Sequence, residues 1–394
     1  MFKGLLRLAG SVALLFSVLS SVAFGEDDRF FTGTLGKMPI VLEMNLGAPS
    51  NVSGRYLYQK YHRDIPLSGA FDGQTLVLNE GQERYGEDTP RPELRLQETP
   101  NGWQGEWRSP KGKTLKVSLV NARLPPVPAD AVPYIASLRN TAPYDYLRLQ
   151  GLTLKPGKKQ DFMGYTLQWW SEPESKISLF EIVSGYSPQE RKRLNQQLMG
   201  RLWQEVTSYH NCLLGSAQWA YVNLVAQPQL LTSSVVSINI SMEYSCGGQH
   251  PDYSEKPLNL DAKTGKVLTL EDVLWVGQGK PLHYEERLGD SDEQSPELRE
   301  AYSTYRRQEF APWLIRQFTV LHPTEMQASG TDDGMCVYAN AEPWQYASWY
   351  FTDQGIYLNP YFPHALAPCS STEWSVLPYN LIKQQPGGVR LQLP

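Results

Sequence analysis

The residues of this chain best suited to chemistry are His250, Asp252 and His364. Each histidine stands beside a proline (His250-Pro251, Pro363-His364), and Asp252 follows two residues after His250. Imidazole nitrogens with a carboxylate can ligate a metal or relay a proton, so these three are the candidates for a metal site or an acid–base pair. Hydrogen-bonded structural histidines are the plainer expectation, and the expected cofactor and metal content is none. No motif strengthens the catalytic side: His-Glu-x-x-His, Gly-x-Ser-x-Gly and a phosphate loop are all missing. Lys263-Thr264-Gly265 matches one tripeptide of the penicilloyl enzymes, but no Ser-x-x-Lys accompanies it, so it reads as a hairpin turn. Asp290-Ser291-Asp292-Glu293 lacks the glycine and distal glutamate of a calcium loop.

Cysteine is the second reactive type. Cys212, Cys246, Cys336 and Cys369 are separated by 34, 90 and 33 residues, with no C-x-x-C metal spacing. Four cysteines allow three pairings. Cys212–Cys246 and Cys336–Cys369 are favoured, because each pair brackets one local unit. The first would staple a helix end to a strand end, and the second would tie two neighbouring strands.

An oxidising compartment favours such bridges, and the start of the chain has the form of an export signal. Lys3 and Arg7 precede an uncharged, mostly apolar run over 8–24 that ends in Ala23-Phe24-Gly25, and Glu26-Asp27-Asp28 follows. A cleaved signal over 1–25 is expected. No later stretch is long and apolar enough for a span, so no membrane-crossing segment is expected after cleavage. The formal charge of the 394 residues is −5. No long basic run is present, which argues against a nucleic-acid partner. Residues 26–123 balance 13 basic against 13 acidic side chains, so the deficit lies beyond them. It gathers in 271–300, where nine acids face Lys280, Arg287 and Arg299. Glu285, Glu286, Asp290, Asp292 and Glu293 form the candidate acidic docking patch for a cationic partner; a solvated loop is the bland alternative.

These residues must be positioned by two kinds of unit. Residues 26–123 carry short alternating runs at 30–35, 39–45, 52–61, 65–70, 75–78, 94–97, 104–108 and 114–120, separated by turns such as Asp72-Gly73 and Asn101-Gly102. That predicts an all-β meander, either barrel-like or a curved sheet. A Pro-rich linker is expected over 124–145, around Pro125, Pro126, Pro128 and Pro133. Strands are expected at 147–154, 164–170 and 177–182. Ser187-Pro188-Gln189-Glu190 then has the form of a helix start, and Leu194, Leu198, Leu202 and Val206 supply one apolar stripe. Strands at 219–225 and 233–244 follow. A second helix begins at Ser295-Pro296 and should break at Pro312. Further strands are expected at 349–352, 356–358 and 374–378. Elements in blocks rather than βαβ alternation define an α+β domain over 146–394, with an antiparallel sheet and two main helices.

Two stretches of that domain carry a family resemblance. One runs Ser245-Cys246-Gly247-Gly248-Gln249-His250-Pro251 into Leu258-Asn259-Leu260-Asp261-Ala262-Lys263-Thr264-Gly265-Lys266-Val267. The other is Trp349-Tyr350-Phe351-Thr352-Asp353-Gln354-Gly355-Ile356-Tyr357-Leu358, with Val376-Leu377-Pro378-Tyr379 behind it. Over roughly 160–385 the chain resembles the extracytoplasmic domain of unknown function of lysozyme-sensing anti-sigma factors, a domain that also precedes some peptidoglycan deacetylases. The resemblance implies a binding or sensing module whose partner is a basic protein such as lysozyme, or a cell-wall component. The chain departs from that pattern: it has no sigma-binding segment, and Pro360-Tyr361-Phe362-Pro363-His364 replaces the usual aromatic-acidic stretch. The expected function is therefore a periplasmic or secreted, non-enzymatic binding protein of the bacterial envelope. The alternatives are an envelope polysaccharide hydrolase or deacetylase working through His250, and a structural assembly factor.

Overall fold

The computed structural model describes residues 28–81, 89–215, 219–284, 295–327 and 336–394. The expected signal segment, 1–25, lies outside them. The first eight strands are β1 (Asp28–Leu35), β2 (Met38–Asn45), β3 (Val52–Tyr58), β4 (Asp64–Phe71), β5 (Thr75–Glu80), β6 (Glu93–Thr99), β7 (Gly102–Arg108) and β8 (Thr114–Asn121). They pair in sequence order, all antiparallel, and β8 returns to β1, so the meander closes into a barrel. Closure abolishes the exposed sheet edges. It also brings β1 and β8 so close that a Cβ at Gly33 would overlap the carbonyl of Ser118. The two-residue alternation sends Ile40, Leu42 and Met44 of β2 inward with Phe31, Tyr56 and Trp103. The interior is thus a packed core.

The expected linker holds two helices, α1 (Pro133–Thr141) and α2 (Pro143–Leu149), each opened by a proline at its first position. The strand expected at 147–154 is therefore corrected: its first residues complete α2. Alternation of Leu147 and Leu149 reads as a strand locally, but contact with the barrel decides otherwise. Tyr144 packs against Val41 and Leu57 on the outer barrel wall. Arg148, fully buried, donates to Asp64 of β4 at 2.6 Å and lies 3.4 Å from Asp145, while the Tyr144 hydroxyl donates to the same Asp64 at 2.6 Å. Arg55 of β3 joins the cluster at 3.4 Å from Asp64. Burial raises the Asp145 carboxyl, against the pull of Arg148 and Arg55.

Beyond α2, β9 (Lys155–Phe162), β10 (Tyr165–Ser171) and β11 (Ser178–Ile182) form a sheet in the order β11-β10-β9. Against it lies α3 (Pro188–Gly215). Its start is the expected capping box: Glu190 N–H donates to the Ser187 hydroxyl at 3.3 Å, and Ser187 N–H donates to the Glu190 carboxylate at 3.0 Å. Leu194, Leu198, Leu202 and Val206 are buried in one core with Leu167, Phe180 and Ile182.

A second sheet contains β12 (Tyr221–Leu231), β13 (Val235–Ser245), β14 (Asp252–Glu255) and β15 (Leu258–Asp261). After the short α4 (Leu270–Val273) come α5 (Pro296–Tyr305), a π-helical turn at Arg306–Phe310, and α6 (Ala311–Leu321). The break expected at Pro312 is instead a widened turn ahead of it. Pro312 lacks an N–H, so one ladder bond is lost, yet the helical path continues because Phe310, Leu314 and Phe318 are all buried in one core. The rest comprises α7 (Pro323–Gln327), α8 (Glu342–Gln345), β16 (Ser348–Phe351), β17 (Gly355–Asn359), a 3-10 segment at His364–Ser370, β18 (Val376–Pro378) and α9 (Tyr379–Ile382). Strands β16-β17-β18 make a third small sheet. The architecture is α+β, with a closed antiparallel barrel in front of helices and antiparallel sheets.

Candidate binding cleft

Both expected disulfides are formed, Cys212–Cys246 and Cys336–Cys369. The first joins the last turns of α3 to the residue after β13, as expected. The second does not tie two strands: Cys336 lies in the chain before α8 and Cys369 in the 3-10 segment. Each bridge anchors one of two loops that approach each other. Gly247, at φ 93°, lets the chain turn back from β13 toward β14, and His250 sits in that turn. The other loop carries His364.

The two imidazoles meet. Their rings stack with centroids 3.8 Å apart and planes 13° from parallel. They line a cleft of about 680 Å³ between β14 and the 359–370 segment. One wall is Asp252, Tyr253, Ser254 and Glu255, with Glu243 of the neighbouring β13. The other is Ser348, Asn359, Pro360, Tyr361 and Phe362, with Tyr346 at the rim. Tyr253, Tyr346 and Tyr361 are 50%, 56% and 69% exposed, so their rings are open to a ligand.

The cleft is rich in carboxylates held by neutral donors. Glu255 accepts from Asn359 Nδ2 at 2.7 Å, the Tyr253 hydroxyl at 3.0 Å, Ser348 Oγ at 3.3 Å and Asn239 Nδ2 at 3.4 Å. Glu243 accepts from the Tyr221 hydroxyl at 3.0 Å. Asp252 accepts from the Tyr253 N–H at 2.8 Å and the Tyr244 hydroxyl at 3.5 Å. Among the described residues, none of the three carboxylates has a lysine, arginine or histidine nitrogen within 4.0 Å. Burial, and then the charge of Glu255, push the Tyr253 hydroxyl up to about 12; burial and Asp252 raise Tyr244. Both phenols stay neutral donors across the physiological range.

Of the sequence candidates, His250, Asp252 and His364 do converge on one site. Among the described residues no group of three or more His, Cys, Asp or Glu is placed to hold an ion. In-plane lone pairs of two parallel imidazoles run side by side instead of converging. His250 Nδ1 lies 2.9 Å from the Pro251 carbonyl. The acidic candidates Glu285, Glu286, Asp290, Asp292 and Glu293 lie outside the described residues. Sequence reasoning missed Glu243, Glu255, Tyr253, Tyr346 and Asn359, which carry no motif and come from β13, β14, β17 and the end of α8. The only local signal was the aromatic stretch at Tyr361-Phe362.

The described chain is thus a barrel-fronted α+β protein with an aromatic, acidic cleft, held by two disulfides and with no helix long and apolar enough to cross a membrane. No protein-family model and no curated protein matches it. Among solved structures it is similar to the crystal structure of a DUF3298-family member from Bacteroides fragilis, at 14% identity and TM-score 0.34, over 60% of this chain and 94% of that one. At that level the likeness is a loose correspondence of shape.

Proposed function

We propose that this is an exported, non-enzymatic binding protein of the bacterial envelope, and that the cleft receives cationic side chains of a basic partner such as lysozyme. One observation carries the reading. Glu243, Asp252 and Glu255 bring three carboxylates into one aromatic-rimmed cleft with no lysine or arginine among its lining residues. An ammonium or guanidinium group would supply the missing charge, and the open tyrosine faces would add cation–π contacts of about 0.5–2 kcal/mol each. Oxidised cysteines support an extracytoplasmic setting.

Calorimetric titration with lysozyme tests the reading. Binding is expected at low salt, weaker at physiological salt, and at least about tenfold weaker in the Glu243→Gln/Asp252→Asn double variant. An affinity that ignores both changes sinks it. The exposed tyrosines and Asn359 favour a second ligand for the same cleft, a neutral cell-wall glycan. Salt-independent binding of peptidoglycan fragments would select that ligand. Turnover of those fragments, lost in His250→Ala, would replace binding with hydrolysis or deacetylation. Recovery of a fixed envelope-protein complex by cross-linking would favour an assembly role.

A further inference from the structure

A second hollow, of about 350 Å³, opens on the three-stranded sheet, far in sequence from the cleft and lined by Lys158, Trp169, Trp170, Glu172, Pro173 and Lys176 among others. Two local departures from regular structure and one fixed aromatic ring build it. Pairing of β9 with β10 runs to Gln168↔Lys159 and resumes at Trp170↔Pro156, so Gly157 and Lys158 together face Trp169. Such a bulge re-aims side chains and recurs beside functional sites. The turn from β10 to β11 holds Lys176 at φ 60°, a left-handed conformation uncommon for a lysine. That turn is strongly determined: the buried Glu172 carboxylate accepts from the Glu174 N–H at 3.1 Å and the Ser175 N–H at 2.6 Å, and the Glu172 carbonyl accepts from the Lys176 N–H at 2.9 Å. Lastly, the Trp169 indole is fixed by donation to Gln160 at 3.0 Å, with Lys158 Nζ 5.9 Å from its ring centroid.

The charge here is opposite to that of the cleft. Glu172 is buried and engaged with backbone, which leaves Lys158 and Lys176 as the exposed charges of the hollow. Lys155 and Lys159 stand on the same strand. Among the described residues none of the four has an ion-pair partner. Lysines on an edge strand discourage stray strand pairing, and that accounts for Lys155, Lys158 and Lys159. It does not account for Lys176, which lies off the strand in a left-handed conformation.

We infer that this hollow binds an acidic sugar unit, its ring against the Trp169 indole and its carboxylate or phosphate between Lys158 and Lys176. The C–H face of a sugar ring is weakly positive and matches the negative face of an indole. The two ammonium groups make charge-assisted hydrogen bonds to the anion. The volume sits at the small end of ligand pockets, roughly 300–1,000 Å³, which suits one ring. This site is independent of the cleft and its partner.

The test is calorimetric titration of the full chain with glucuronate, glucose 6-phosphate and glucose at millimolar concentrations, repeated on Lys158→Ala/Lys176→Ala. The structure predicts saturable binding of one or both anionic sugars, with glucose at least about tenfold weaker and a similar loss in the double variant. Glucuronate alone would identify a carboxylate ligand, and glucose 6-phosphate alone a phosphate one. The inference is overturned by no binding of either anionic sugar, by equal affinity for glucose, or by an unchanged double variant. Acetate and inorganic phosphate binding as tightly as the sugars would also overturn it. Both substituted lysines are solvent-exposed, so the variant should fold, and its circular dichroism checks this.

Discussion

His210 should make the fold acid-sensitive, by an amount that can be worked out. It lies on α3, is 1% exposed, and among the described residues neither ring nitrogen has a hydrogen-bond partner. Burial, with the nearby positive charges of Arg148, His62, Arg63 and Arg55, pushes its imidazole down from 6.5 to about 2. The folded protein therefore keeps His210 neutral, while the unfolded chain takes up a proton as pH falls through about 6.5. Protons bind the unfolded state preferentially, so stability is full above that value and falls as the medium is acidified. Between about pH 7.5 and 4.5 the linkage amounts to about 2.7 kcal/mol, from roughly two pH units at 1.36 kcal/mol each. The informative variant is His210→Leu, similar in volume and unable to titrate. Urea unfolding of both proteins at the two pH values, followed by circular dichroism, isolates this residue from every other group. The variant should match or exceed the natural chain at the higher pH, since two unpaired buried nitrogens are removed. It should then gain about 2–3 kcal/mol relative to it at the lower pH. A stability difference that stays constant to within about 0.5 kcal/mol between the two would refute the reasoning.

Two further perturbations address how the units are held together. Arg148→Met removes the fully buried guanidinium that lies 2.6 and 3.4 Å from Asp64 and Asp145, and leaves them only the longer contacts of Arg55 at 3.4 and 3.7 Å. The expected cost is about 3–5 kcal/mol of stability by urea unfolding, and a change below about 1 kcal/mol would mean that Arg55 alone balances both carboxylates. Replacing Cys336 and Cys369 by serine opens a 33-residue loop. That should lower stability by about 2–4 kcal/mol and, by freeing the segment that carries His364, weaken any ligand of the cleft while leaving the lysine–tryptophan hollow unchanged. Parallel titrations of the two sites check both halves of that statement.

Much of the architecture was legible. All eight barrel strands were readable to within a few residues, because alternation and Gly-containing turns operate over neighbouring positions. The α3 start was readable from Ser187 and Glu190 because a capping box is completed within one turn. Local signals misled at α2, where the leucine spacing of 147–149 suits a strand and burial of Tyr144 and Arg148 against the barrel selects a helix. They misled again at Pro312, where core contacts of Phe310 and Leu314 carry the helix past a proline. The cysteine pairing was legible because each pair brackets one local unit, whereas what Cys336–Cys369 joins was not.

The candidate sites divide along the same line. Residue type alone marked His250, Asp252 and His364, since few side chains can ligate or exchange protons. Only the folded chain stacks the two rings at 3.8 Å and surrounds them with Glu243, Glu255 and open tyrosines drawn from two strands and two loops. The overall charge of −5 ruled out a polyanion-binding face across the whole protein, because composition sums over every residue. It could not reveal that the chain separates its charges, with carboxylates in one hollow and lysines in another that have no ion-pair partner among the described residues. That separation is set by strand register, by a bulge at Gly157–Lys158 and by a left-handed Lys176, none of which has a period or motif in the sequence. Short-range chemistry thus decided the elements, and long-range packing decided what those elements place side by side.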